Sequence, residues 1–122
     1  MAWKFESGLA LTVQIMNRLR KDILKGVYES GCRFPTVREL AYDAGVNPNT
    51  MQKALSLLEK EGLLVTNSTV GRTVTDNADV LSEAKSKSLD AFTKNVIKEA
   101  KHMSLDMCDL IENIKKGWDQ NE

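Results

Sequence analysis

Residues 35–50 read PTVRELAYDAGVNPNT, and two helices with a tight turn between them are written into that stretch. Thr36 followed three residues later by Glu39 is a capping box, in which each side chain satisfies a free backbone N–H at a helix start. A short helix is therefore expected from about Val37 to Ala44, ended by a left-handed Gly45. After Val46, the Asn47-Pro48 pair places an N-cap amide before a proline at the first helical position, so a second helix begins almost at once. That helix carries Met51, Ala54, Leu55 and Leu58 on one face, with Asn49, Thr50, Gln52, Lys53 and Ser56 elsewhere and Gly62 as its stop. Two helices joined by a glycine-containing turn make a helix-turn-helix.

Upstream, Leu11, Ile15, Leu19 and Ile23 recur at helical spacing, widened by Met16 and Leu24, and Gly26 marks the end of that helix. Val27 to Phe34 reads as a turn-rich linker with room for one or two residues of strand. Downstream, Leu63-Leu64-Val65 and Thr73-Val74-Thr75 are β-prone and flank a loop from Thr66 to Arg72, the pattern of a wing hairpin. Past Asp76-Asn77, Leu81, Ala84, Leu89, Phe92, Val96, Ile97, Ala100 and Met103 recur at threes and fours, which predicts one amphipathic helix of roughly 35 Å. Ser104 offers a fresh N-cap, and Leu105, Cys108, Ile111, Ile114 and Trp118 continue a stripe into a shorter helix that Gly117 weakens. The expected fold is mainly α with a small β-hairpin wing: a winged helix-turn-helix over residues 1–76 and a two-helix tail over residues 77–122.

The chain has 122 residues, too few for two full cores and so for an enzyme with a separate cofactor domain. Its 17 basic and 17 acidic side chains balance, which gives the whole molecule no electrostatic preference for nucleic acid or anionic lipid. Divided at residue 76, the first part holds ten Lys/Arg against eight Asp/Glu and the second seven against nine, so the surplus positive charge sits with the helix-turn-helix. No apolar run approaches the roughly 20 residues of a membrane span, and no signal peptide opens the chain, so a cytoplasmic protein without membrane association is expected. Cys32 and Cys108 read as reduced, buried or half-buried small hydrophobes.

His102 is the only histidine, and no Cys-x-x-Cys or glycine-rich phosphate loop occurs, so neither a metal site, a cofactor site nor a catalytic pair can be assembled. The polar start of the second helix is a different matter. Residues there enter the major groove in a helix-turn-helix, and Asn47, Asn49, Thr50, Gln52 and Lys53 offer amides for adenine, a hydroxyl for phosphate and an ammonium for phosphate or guanine. A solvated helix face is the bland alternative for the same residues.

Phe34-Pro35-Thr36-Val37-Arg38-Glu39-Leu40-Ala41 followed by Val46-Asn47-Pro48-Asn49-Thr50 resembles the DNA-binding domain of the GntR family of bacterial regulators. The resemblance extends from Gln14-Ile15 through Ala54-Leu55, Leu58 and Glu61-Gly62-Leu63-Leu64 to Gly71 and Val74. It implies that Arg38 contacts base or phosphate at the start of the first helix of the motif, that Thr36 lies at the same edge, and that Asn47, Asn49, Thr50 and Gln52 face operator DNA. For Arg38 the alternative is a surface ion pair with Glu39 or Asp43. The wing departs from the family pattern at Thr69, where glycine is common, and at Thr73, where a large apolar residue is common; Thr69, Gly71 and Arg72 remain its candidate DNA contacts.

The short helical tail is similar to that of the YtrA-type subfamily, whose members dimerise through two C-terminal helices and often repress neighbouring operons, including transporter operons. Leu81, Leu89, Phe92, Val96, Ile97, Met103, Ile111 and Trp118 are accordingly expected at a homodimer interface, and a two-fold dimer matches palindromic DNA with half-sites about 34 Å apart. An unidentified small-molecule effector would fit a cleft between the tail helices or between tail and winged helix. A winged helix used as a protein-interaction module is the competing reading.

Overall fold

A computed structural model describes residues 2–120 of the chain. In order along the sequence it contains α1 (Leu11–Lys25), α2 (Val37–Ala44), α3 (Pro48–Lys60), β1 (Leu64–Asn67), β2 (Gly71–Val74), α4 (Ala78–His102) and α5 (Met107–Gly117). The strands pair antiparallel with Leu64 opposite Val74 and Asn67 opposite Gly71. The chain divides into two compact units, one ending at Lys85 and one beginning at Ser86.

The first unit is built around α1, α2 and α3. Ile15, Leu19 and Ile23 are buried from α1, Leu40, Ala41 and Ala44 from α2, and Met51, Ala54, Leu55 and Leu58 from α3. Phe34, Leu63, Leu64 and Val74 close the same core from the linker and the hairpin. Burial of this many apolar side chains, at about 1.5–3 kcal/mol for each large one, is what holds three short helices that would be marginal alone. Val80, Leu81 and Ala84, in the first two turns of α4, are half-buried against this core.

Local signals end the elements where the sequence places them. Gly26 and Gly45 are left-handed, at φ 87° and 73°, and close α1 and α2. Thr36 and Glu39 form the full capping box, Glu39 N to Thr36 Oγ1 at 3.1 Å and Thr36 N to Glu39 Oε1 at 3.0 Å. The linker contributes its short strand segment as a third edge on the hairpin: Arg33 bridges Thr73, and Phe34 N donates to Arg72 O at 2.8 Å.

Three local expectations are corrected. The wing loop is shorter than Thr66 to Arg72, because the Asn67 side-chain oxygen accepts from Thr69 N at 2.9 Å and Val70 N at 3.2 Å, folding a tight turn that lets the strands run on to Asn67 and Gly71. Ser104 is not an N-cap: its φ is 56°, a left-handed turn residue, and Asp106 caps α5 by accepting from Asp109 N at 3.2 Å. Cys32 and Cys108 are both exposed. Cys32 lies on the outer edge of the linker, where its backbone rather than its side chain serves the hairpin, through Val74 N to Cys32 O at 3.0 Å.

The second unit contains the remainder of α4 and α5. Within a single chain α5 buries no residue, and from Ser86 onward α4 buries none either. Leu89, Phe92, Ile97, Met103, Ile111 and Trp118 are all exposed, Trp118 to 75%.

Candidate nucleic-acid interface

The geometry of α3 follows from its cap. Asn47 Oδ1 accepts from Asn49 N at 2.8 Å, which leaves the Asn47 amide nitrogen facing outward while Pro48 sets the first helical turn. With Met51, Ala54 and Leu55 turned fully inward, the helical period puts Asn49, Gln52 and Lys53 on the opposite, exposed face, and Thr50 is half-buried at its border. Gln52 Nε2 donates to Ser56 Oγ at 3.2 Å, one turn along, so the Gln52 carbonyl oxygen stays open to an outside donor. Amide, hydroxyl and ammonium groups thus line one edge of the helix start, where the positive end of the helix dipole also favours an anion.

Arg38 is exposed in the first turn of α2, and no ion pair holds it among the described residues. Glu39 is engaged elsewhere: the Thr36 backbone N–H, then the Thr36 hydroxyl, hold its carboxyl below the usual range. The guanidinium beside it is therefore left for an external acceptor. Thr36, exposed at the same helix start, is occupied as the cap.

At the far end of α3, Glu59 clamps both strands of the wing. Its Oε1 accepts from Arg72 Nε at 2.7 Å and its Oε2 from Thr66 Oγ1. The Thr66 hydrogen bond, and after it the Arg72 one, hold the Glu59 carboxyl below the usual range despite partial desolvation. Arg72 therefore serves first to fix the wing against α3, while Thr69 and Gly71 stand exposed at the wing tip with Val70 between them. A second clamp, Arg20 Nε to Glu61 Oε1 at 3.0 Å and Nη2 to Oε2 at 2.5 Å, ties α1 to the end of the same helix.

Sequence reasoning missed the segment before α1. Trp3 N donates to Ala44 O at 3.2 Å, at the turn of the helix-turn-helix, and the Trp3 ring lies under Arg18, whose guanidinium carbon is 4.2 Å from the ring centroid. Gln14 completes the strap: its Oε1 accepts from Glu6 N at 2.8 Å and its Nε2 donates to Glu6 O at 2.9 Å. The apolar Trp3 and Phe5 ahead of the first helix were the available signal.

A helix-turn-helix whose second helix presents an open polar edge, with a hairpin clamped behind it, matches the model of the gntR family of bacterial regulatory proteins over residues 11–74. The chain belongs to the GntR family. Its relatives include the HTH-type transcriptional repressor YtrA of Bacillus subtilis, 35% identical over 90% of this chain and 85% of that one. The HTH-type transcriptional regulator YhcF of the same organism is 28% identical over 92% of this chain and 93% of that protein. A GntR family transcriptional regulator from Listeria monocytogenes superimposes with a TM-score of 0.84 at 28% identity, covering 92% of this chain and 98% of the other. The likeness therefore includes the two-helix tail as well as the winged helix, which is the YtrA-type arrangement. As a GntR protein the chain is a DNA-binding transcription regulator and not an enzyme. Among the described residues no helix is long and apolar enough to cross a membrane.

Proposed function

We propose that this GntR regulator acts as a homodimeric repressor on a two-fold symmetric operator, with one α3 in each of two successive major grooves. The open polar edge of α3, Asn47, Asn49, Gln52 and Lys53 beside an unpaired Arg38, is the observation that carries this reading. Asn49 and Gln52 read base edges, Arg38 and Lys53 contact guanine or phosphate, and Thr36 and Thr50 approach the backbone at the two helix starts. The wing tip at Thr69 and Gly71 follows the adjacent phosphates, aimed by the Glu59 clamp on Arg72.

The dimer forms through the second unit. Leu89, Phe92, Ile97, Met103, Ile111 and Trp118 are exposed within one chain, and Val96 is half-buried beside them, so a second copy is the partner that removes this apolar surface from water. Leu81 packs on the winged-helix core and contributes to that interface only at its border. The YtrA relative is a repressor by name, and repression of a neighbouring operon, a transporter operon by the resemblance of the tail, is the corresponding role here. The protein works in the cytoplasm, where its DNA is, and a small-molecule effector modulates the operator affinity.

Selection of random duplex DNA by the purified protein at moderate salt, with Arg38→Ala and Asn49→Ala variants alongside, tests the reading. A two-fold symmetric site lost by both variants supports it; retention of no sequence above background rejects it in favour of a protein-interaction module.

A further inference from the structure

The first unit contains a cleft of about 410 Å³ between the end of α1, the linker and the first two turns of α4. Its size falls in the range of small-molecule sites, roughly 300–1,000 Å³. Leu24, Val74 and Leu81 give it an apolar floor, and Lys25 and Lys85 stand at its rim from α1 and α4 respectively. Neither lysine has a carboxylate partner among the described residues, and no Asp or Glu lines the cleft. Tyr28, its ring packed at 4.7 Å from that of Phe34, lines the same cleft, and no hydrogen bond uses its hydroxyl among the described residues.

An apolar floor and two ammonium groups without carboxylate partners are complementary to one kind of ligand. We infer that this cleft binds a small organic anion with an apolar body, its charged head between Lys25 and Lys85 and its body on Leu24, Val74 and Leu81. The inference deepens the effector reading above and rests on it for its regulatory part. A ligand seated there touches α1 and the opening turns of α4 together, so it strengthens the seating of α4 on the winged helix. Operator affinity changes to the degree that the DNA-bound and free states differ in that seating.

Hexanoate is the probe, with 1-hexanol as its uncharged counterpart, added to the full-length protein while backbone amide chemical shifts are followed. Saturable shifts centred on Lys25, Gly26, Leu81 and Ser82 are expected with hexanoate, at least roughly tenfold weaker with hexanol. The Lys25→Gln/Lys85→Gln double variant should weaken hexanoate by roughly tenfold, and Ser82→Phe, which fills the cleft from its exposed edge, should remove binding. If Ser82→Phe fails to fold, the double variant, whose two positions are exposed, carries the test alone. Equal responses to acid and alcohol, shifts scattered away from the cleft, or no effect of the double substitution would overturn the site. Saturating hexanoate should shift affinity for the selected operator; an unchanged affinity in a protein that binds that operator removes the regulatory part. Should the protein select no operator yet bind hexanoate in the cleft, the repressor reading falls and the site stands.

Discussion

Glu59 and Arg72 join the end of α3 to the second strand of the wing, Oε1 to Nε at 2.7 Å, with side chains only 28% and 19% exposed. They stand thirteen positions apart in the chain, so one carboxylate sets where the hairpin stands relative to α3. Its second oxygen holds Thr66 on the other strand, which makes the hairpin move with α3 as a piece.

Glu59→Ala should lower folding stability by on the order of 1 kcal/mol, since it strands a half-buried guanidinium and a hydroxyl. Urea unfolding at neutral pH measures this. The Glu59 carboxyl is held below its ordinary value of 4.5, so its contribution is complete above pH 4.5 and fades as pH falls through the lowered value. The stability difference between wild type and Glu59→Gln should accordingly shrink on acidification below pH 4.5; a gap that stays constant would show that the ionised form is irrelevant.

Thr36→Ala removes the hydroxyl half of the capping box and should cost about 1 kcal/mol. Because Glu39 is likewise held below 4.5, the carboxylate half of the box is present above that pH and is lost as the solution is acidified through the lowered value. Thermal unfolding of the two proteins at neutral pH gives the comparison, and equal midpoints would contradict the role of the cap.

Arg38→Ala should abolish selective operator binding while leaving the unfolding midpoint within error, as expected for an exposed side chain with no internal partner. Lys53→Ala should instead weaken all sequences alike and reduce the slope of log affinity against log salt by about 1. Fluorescence anisotropy across a salt series distinguishes the two behaviours.

Ile111→Asp and Phe92→Asp should each convert a dimer into monomers, because both side chains are exposed in the single chain and would be buried only against a second copy. Sedimentation velocity reads the outcome. The winged helix should keep its own unfolding signal in either variant, since no residue of its core lies in the second unit.

The helix boundaries were legible because they are chemically local: a hydroxyl three residues before a glutamate, an asparagine before a proline, and a glycine after an alanine each act within one turn. The wing register was less so, since Asn67 looks like any loop amide until its oxygen is seen to accept two backbone N–H groups. Ser104 and Asp106 are both good caps in isolation, and only the left-handed backbone at Ser104 decides between them. The exposure of both cysteines and the engagement of Arg72 by Glu59 depend on contacts distant in sequence, which periodicity does not encode. For the candidate interface, the residue types of α3 and Arg38 could be read directly, whereas the strap of Trp3 and Gln14 that braces the motif from behind could not.

The opening turns of α4 have a practical bearing on how regulators of this build can be recombined. Val80, Leu81 and Ala84 belong to the hydrophobic interior of the DNA-reading half, although they sit on the helix that continues into the tail. A chimera spliced at the end of the wing would deprive the reading head of part of its own interior and give it a stranger's side chains to pack. Splicing after Lys85 transplants the head with its interior whole, so exchange of tails between related regulators has a natural joint inside a helix rather than in the loop that precedes it.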